Sequence, residues 1–262
     1  MITGTDWAIV VGFFVTAISG VIVQLASHYL TKIREEKKYQ KECYQTLFSP
    51  IVFKVIKYIQ AENVRGFKEK PDKLFKEIID HLGLNIKYAA PRFVMKYENF
   101  RHVDFKLDSH EMKDYYISER IKLCEEFLLD YLQISNKLEV LTPDVKRLID
   151  MNLMICKLHD LAWCCYCYEI ATLVLERGIF IQNLFTNYNY QVQEIEEIIK
   201  ELNNNIEYSQ KQIGCIQFHC FQNAIEYIEN ICKTFINKYP QEESTFQSAL
   251  NNGIAHLKEK HK

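Results

Sequence analysis

An uncharged run of 24 residues near the amino terminus constrains this chain more than any other feature. Trp7 to Leu30 contains no Asp, Glu, Lys or Arg. As an α-helix rising about 1.5 Å per residue it would measure roughly 36 Å, enough to cross a hydrocarbon core of about 30 Å with some tilt. A cleaved signal peptide would start with basic residues, and an interfacial helix would carry a charged face. The run therefore predicts one transmembrane helix over residues 7–30.

The charges that flank this run predict its orientation. Asp6 is the one charged residue before it, whereas several basic residues follow it closely: Lys32, Arg34, Lys37, Lys38 and Lys41. Lys and Arg are retained on the cytoplasmic side of a membrane. We therefore expect residues 1–6 outside the inner membrane, the bulk of the chain in the cytoplasm, and a single-pass protein anchored in the lipid bilayer.

A stripe of small and polar residues within the run predicts self-association. Gly12, Thr16, Gly20 and Gln24 recur at every fourth position. On a helix they drift slowly around one face, where small side chains let two backbones approach closely and Gln24 can hydrogen-bond across a helix pair. We expect a homo-oligomer built through this face. The alternative is that Gly and Thr are common in membrane helices and that the spacing marks no interface.

The rest of the chain is typical of an all-α protein. Five Pro and eight Gly are few for 262 residues, and long stretches are rich in Lys, Glu, Ile and Leu. Residues 31–48 contain no helix breaker, so they are expected to continue the membrane helix as a helical stalk. Residues 49–262 are expected to form a cytoplasmic bundle of long helices.

Several local patterns predict where the helices of this bundle begin and end. Thr142-Pro143-Asp144 is the clearest start, with a capping hydroxyl, a Pro at the first helical position and an acid in the first turn. The helix it opens is apolar nearly all round from Met151 to Leu175, which predicts a central helix that weakens or ends near Gly178. Other predicted helices start at Ser49-Pro50, at Pro71 (residues 72–81, closed by Gly83), at Ala90-Pro91, at Ser109 and at Ser244.

A heptad seam follows in the stretch from Tyr190 to Tyr239. Apolar residues from Val192 to Cys220 alternate steps of three and four, which is typical of a coiled coil. The seam can pack within the chain or against a second copy. We favour packing within the chain, because the apolar helix around Cys164 to Leu175 needs a cover.

Most enzyme and nucleic-acid classes leave no trace in the sequence. Every Gly after the apolar run is isolated, so no phosphate-binding loop exists, and no Glu-x-x-His pair for a di-iron bundle is present. His159-Asp160 resembles the metal pair of HD phosphohydrolases, but no Asp follows Asp160 to close that site. A net charge of −2 and a pI near 6.5 exclude a general attraction to nucleic acid. We expect no cofactor and no nucleic-acid partner.

The cysteines of the chain are the remaining candidates for a metal site or reactive groups. Nine Cys, an odd number, on the cytoplasmic side predict free thiols. His159, Cys164, Cys165 and Cys167 lie close in sequence, but on one continuous helix the three thiols point in different directions. A metal would then need ligands from another helix, for which the candidates are Cys215, His219 and Cys220. Free core thiols are the simpler interpretation, so no metal site is predicted.

Three functions remain after these exclusions. The first is a non-enzymatic, membrane-anchored helical protein that self-assembles and acts as a scaffold or signal-responsive effector, alone or with a partner protein. The second is a membrane-perturbing effector that forms a pore or leak, a layout similar to that of single-pass effectors of bacterial anti-phage defence. The third is an enzyme whose site is assembled from residues distant in sequence.

Overall fold

The structure, a computed structural model, describes residues 4–63, 70–104, 113–188, 192–211 and 219–260, with the side chains of most of these from Ser19 onward. Helices account for nearly all of these residues, and no strand occurs among them. The predicted all-α multi-helix architecture with long helices is confirmed.

Eleven α-helices make up the described part of the chain. In order they are α1 Gly4–Cys43, α2 Val52–Asn63, α3 Pro71–Asn85, α4 Pro91–Asp104, α5 Lys113–Lys137, α6 Pro143–Cys164, α7 Tyr168–Glu176, α8 Gly178–Tyr188, α9 Val192–Lys211, α10 His219–Lys238 and α11 Glu243–Lys260. A π-helical turn, Tyr44–Phe48, follows α1, and short 3-10 turns lie at Ile86–Tyr88 and Pro240–Glu242.

Helix α6 lies at the centre of the bundle. It starts where the sequence predicts, with the Thr142 hydroxyl accepting a hydrogen bond of 3.4 Å from the Val145 amide. It packs against α2, α5, α7, α8, α9 and α10. Ten of its residues are buried, including the polar Asn152 and His159. A helix apolar nearly all round is therefore surrounded by others, as its pattern predicts.

The predicted continuous helix from Pro143 to Gly178 is wrong, because the chain breaks at Cys165–Cys167. The Cys167 amide donates to the Ala162 carbonyl at 2.8 Å and the Tyr166 amide donates to the Trp163 carbonyl at 3.0 Å. These two bonds form a Schellman ending, in which one residue takes the left-handed conformation. Tyr166 takes it, with φ of 58°, although Gly is the usual residue there. The chain then turns and continues as α7.

Helix α11 fixes this break by a close approach. Gly253 is buried, and a Cβ built on it would overlap Cys167 Sγ and lie 3.2 Å from Cys167 Cα. Only a residue without a side chain lets α11 lie this close to Cys167, the residue that precedes α7. The predicted tail helix is therefore part of the core, and Phe246, Ala249 and Leu250 are buried with it.

Helix α3 differs from its prediction at Gly83. The glycine was expected to close the helix, but α3 runs through it to Asn85. A Cβ at this position would lie 2.9 Å from the Tyr97 hydroxyl. Gly83 thus makes room for the buried Tyr97 of α4 instead of ending a helix.

The heptad seam lies within the chain over its described part. Ile195, Ile199 and Leu202 are buried, and α9 packs against α6 and α10. The packing within the chain that we favoured is observed for these three residues. Gly214 and the later seam positions before Cys220 lie outside the described residues or side chains.

The end of α1 joins the bundle through the π-helical turn. Leu47 and Phe48 of this turn are buried, and the Phe48 ring lies 5.3 Å from the Phe127 ring of α5. The Tyr44 hydroxyl lies 3.5 Å from the Tyr131 hydroxyl. Helix α1 therefore continues past residue 30 to Cys43 without a break. The turn that follows its carboxyl end packs against α5.

The contact between Gly253 and Cys167 gives a first prediction. We expect Gly253→Ala to destabilise the fold by about 1–3 kcal/mol, because the added methyl has no room against the Cys167 backbone. The measurement is the midpoint of urea unfolding followed by circular dichroism.

Ser248→Ala, on the same helix α11, is the control. Ser248 is exposed, and Ala favours a helix over Ser, so the midpoint should stay unchanged or rise slightly. Equal midpoints for Gly253→Ala and Ser248→Ala would contradict the close approach.

Candidate functional site

Helix α1 presents an exposed apolar surface over residues 21–30. Six large apolar residues in this range are more than half exposed: Val21, Ile22, Val23, Leu25, Tyr29 and Leu30. Their exposed fractions run from 54% at Leu30 to 68% at Val23. Contiguous apolar surface of this kind on a protein marks an interface with a membrane or with another protein.

The predicted self-association face is described only in part. Gly20 and Gln24 lie on the exposed helix, with open space around Gly20. The surroundings of Gly12 and the side chain of Thr16 lie outside what the structure describes. Within the part of the chain that the structure describes, no helix is both long enough and apolar enough to span a membrane.

The cysteine and histidine group around the helix break is a packed cluster. His159 stacks on Trp163 with ring centroids 6.0 Å apart, and Cys165 and Cys167 are fully buried. The expectation that the three thiols share one helix is wrong, because the break separates Cys164 from Cys167. No group of three or more His, Cys, Asp or Glu suited to a metal exists among the described residues. Cys215 and the side chains of His219 and Cys220 lie outside that part.

Burial keeps the thiols and the imidazole of this cluster in their neutral forms. It raises the pKa of the Cys164 thiol to about 12 and that of Cys167 to about 11, so neither is a thiolate at neutral pH. Burial also lowers the pKa of His159 to about 3, helped by the positive charge of Lys122. His159 is therefore neutral, and its Nδ1 has no hydrogen-bond partner among the described residues.

A layer of paired charges lies between α5, α6 and α9, and we call it the ion cluster. Lys157 Nζ of α6 contacts Glu125 Oε1 at 2.7 Å and Glu196 Oε1 at 3.1 Å. Lys122 Nζ of α5 contacts Glu119 Oε1 at 3.1 Å and approaches Asp160 Oδ1 to 3.7 Å. Each lysine thus bridges two carboxylates that belong to neighbouring turns or helices.

Two carboxylates of the ion cluster, Glu125 and Asp160, are largely buried. Burial raises the pKa of Glu125 to about 7, against the lowering effect of Lys157, and it also raises the pKa of Asp160. Glu125 Oε2 is buried and has no hydrogen-bond partner in the described structure. Because the folded pKa of Glu125 exceeds its ordinary value, the stability that this group contributes is present at low pH and is lost as pH rises toward 7. Desolvation of the charges offsets much of their attraction, so the cluster fixes the register of the helices more than it stabilises them.

A second buried cation links α3 to α5. Arg120 Nη1 donates to Asp72 Oδ1 at 2.6 Å, while the guanidinium lies 4.1 Å from the Tyr116 ring and 4.6 Å from the Phe75 ring. A planar guanidinium between two aromatic rings gains cation–π attraction and covers apolar surface. The arrangement packs α5 against α3.

The sequence carried a signal for the ion cluster that periodicity alone did not reveal. Glu119, Lys122 and Glu125 follow one another at steps of three on α5, facing Lys157 and Asp160 on α6. Opposite charges on two consecutive helices are the signal that would have identified a shared buried layer.

Comparison with protein-family models, curated proteins and solved structures yields no match. Function is therefore inferred from the residues of this chain.

His159 gives a prediction that isolates one buried group. Its folded pKa of about 3 lies below the ordinary value of 6.5, so its contribution to stability is complete above pH 6.5 and is lost as pH falls toward 3. Between pH 7 and pH 5 the wild type should lose about 2 kcal/mol through this group. His159→Phe keeps a flat ring against Trp163 and should remove that loss.

The measurement is the free energy of unfolding by urea at pH 7 and at pH 5 for both proteins. His102→Asn, a change at an exposed histidine, is the control and should follow the wild type. An identical pH dependence for His159→Phe and wild type would show that His159 is not held neutral in the core.

Proposed function

We propose that this protein is a single-pass, membrane-anchored helical protein, non-enzymatic, that self-assembles to act as a scaffold or signal-responsive effector. The observation that carries the proposal is the combination of an uncharged run of 24 residues with the exposure of its described part. Val21 to Leu30 carries six large apolar side chains that no part of the bundle covers. Exposed apolar surface on an uncharged helix is stabilised by lipid and is unfavourable in water.

The orientation follows from the same helix. The basic residues that begin at Lys32 lie on α1 between the apolar run and the bundle, and the described ones among them are exposed. Anionic headgroups attract such residues, and Lys and Arg are retained on the cytoplasmic side. We therefore propose the inner cell membrane, with residues 1–6 outside and the bundle in the cytoplasm.

Self-assembly is proposed through the stripe of small residues on α1. Gly20 has open space around it and Gln24 is exposed, so a second copy of α1 can approach at these positions. In hydrocarbon an exposed amide lacks a partner, and a hydrogen bond to the same residue of a second helix supplies one. Gly12 and Thr16 extend the stripe in the sequence.

A membrane-perturbing effector is the second candidate. Gln24 and His28 lie on one face of α1 and are both exposed polar residues inside the uncharged run. In a higher oligomer this face would line a polar path at the cytoplasmic end of the helices. Assembly is common to both candidates, whereas a leak belongs to the second alone.

The anchor is tested by placing charges inside the run. We expect the double variant Val15→Asp with Val21→Asp to leave the membrane, because each acid near the centre of a span costs about 2.5–3.5 kcal/mol. The measurement is the share of protein that stays in membranes after an alkaline wash.

The control places the same charge on exposed apolar residues of the bundle. Leu84→Asp with Met95→Asp should leave the distribution of the protein unchanged, because these side chains are 81% and 61% exposed on α3 and α4. Loss of the wild type itself in the wash would overturn the membrane anchor.

Assembly is tested at the small-residue stripe. We expect Gly20→Leu to convert a defined oligomer of the full-length protein in detergent into a monomer, because the larger side chain keeps two helices apart. Light scattering gives the mass. Val21→Leu, on another face of the same turn, is the control and should keep the oligomer. A monomeric wild type would contradict self-assembly.

The same variants separate the two candidate functions. If the protein is a leak, vesicles that contain the wild type should release a trapped dye and vesicles with Gly20→Leu should not. A scaffold releases no dye in either form.

A further inference from the structure

A cavity of about 290 Å³ lies where α1 meets the bundle. Its walls come from the last turns of α1, from the segment around Ala89 and Pro91, and from the carboxyl-terminal half of α5. The volume is close to the lower end of the range for small-molecule sites in proteins. It lies apart from the ion cluster and from the exposed surface of α1.

Three aromatic side chains contribute to the wall of the cavity. Tyr39, Phe48 and Tyr88 line the cavity, and Phe48 is buried against Phe127 behind it. The Tyr88 hydroxyl donates to Glu42 Oε1 at 2.9 Å, which fixes the turn that carries Tyr88 against α1. Aromatic faces attract organic cations through their ring electrons and attract apolar carbon by burial.

One carboxylate completes the wall. Asp130 of α5 lines the cavity, is half-buried, and makes no hydrogen bond or ion pair with the described residues. Its Oδ2 is closed off by the protein, which leaves Oδ1 as the oxygen that a ligand can reach. The nearby cation Arg92 is committed to Glu126, to which its Nη2 donates at 2.6 Å. Lys137 also lines the cavity but is exposed, seven residues or about 10 Å further along α5. Asp130 therefore has an incomplete set of donors in a site walled by aromatic rings.

We propose that this cavity binds a small organic cation, whose ammonium group pairs with the Asp130 carboxylate while its carbon frame packs against Tyr39 and Tyr88. A protonated amine supplies the hydrogen-bond donors that Asp130 lacks. An anion would meet Asp130 directly, and a neutral apolar molecule would leave the carboxylate without a partner. Gln40 also lines the cavity, and although its Nε2 donates to Glu36 Oε1 at 3.4 Å, its amide oxygen can accept a hydrogen bond from the ligand.

Distance favours a free molecule over a lipid headgroup as the source of the amine. Tyr39 lies nine residues beyond Leu30, about 14 Å along the helix. The headgroup layer on each side of a bilayer is only about 5–8 Å thick. A cavity at this position on α1 lies beyond that layer, and binding there does not depend on the membrane proposal.

The test uses the full-length protein in detergent and three probes of the same shape. Phenethylamine carries one ammonium and one ring, 2-phenylethanol is its neutral counterpart, and 3-phenylpropionate is its anionic counterpart. We expect saturable binding of the amine by isothermal titration calorimetry, and binding at least about tenfold weaker for the other two. Equal affinity for all three probes, or no binding of the amine, would overturn the proposal.

Variants locate the site. Asp130→Asn keeps the shape of the side chain and should weaken binding of phenethylamine about tenfold or more. Asp150→Asn is the matched control, the same change at a half-buried acid on α6 that does not line the cavity. Ala90→Phe fills the cavity with the carboxylate intact and should abolish binding. Unchanged affinity in both cavity variants would overturn the assignment.

Nanodiscs separate the two sources of an amine. If the ligand is a free molecule, phenethylamine should bind equally in nanodiscs of phosphatidylglycerol alone and in nanodiscs that also contain phosphatidylethanolamine. Weaker binding in the second set would show that an ethanolamine headgroup occupies the cavity and would overturn the free-ligand assignment.

Discussion

Burial of helix α6 on nearly all sides is the constraint on which the rest of this structure depends. A helix of 22 residues with apolar positions all round must be covered by other helices, and α2, α5, α7, α8, α9 and α10 provide that cover. After the end of α6 the chain folds back, so that α7 and α8 pack against α6. This return requires the break at Cys165–Cys167, and the break in turn requires a neighbour that comes as close as Gly253 does. A change at α11 therefore acts on the centre of the bundle.

The polar residues of the core follow from the same packing. Lys157 and Asp160 lie on faces of α6 that other helices cover, so water does not solvate their charges fully. Their partners therefore come from α5 and α9. Lys157 reaches both helices, through Glu125 and Glu196, and thus relates the two at one point. Since removal of one partner leaves the other charge buried, such pairs oppose any slip of the helices along one another. Burial and the charge of Lys122 lower the pKa of His159, so its imidazole stays neutral in the core.

Sequence patterns predicted this fold where a local rule decides the outcome. The start of α6 at Pro143 follows from capping chemistry, and the central position of α6 follows from its apolar faces. The same rules failed where a residue took an unusual conformation. Tyr166, after α6, and Glu139, after α5 with φ of 57°, both take the left-handed conformation that ends a helix. Gly usually occupies such a position, so the sequence contains no sign of these two ends. Gly83 predicted a helix end that does not occur, because this glycine lies within α3 and makes room for the Tyr97 hydroxyl. The ion cluster and the cavity depend on contacts between distant helices, which no local pattern contains.

Helix α1 and the cavity at its end are related by geometry. The same helix carries the apolar run and, without a break, the residues Tyr39, Gln40 and Cys43 that line the cavity. A ligand in the cavity would touch α1 on one side and α5 on the other, so its affinity would depend on how these two helices are placed. If assembly of α1 changes that placement, linkage requires that the ligand change assembly by the same factor. A signal-responsive effector needs such a connection between a ligand site and an assembling helix. The π-helical turn that joins α1 to α5 through Phe48 and Tyr44 is the element through which it would act.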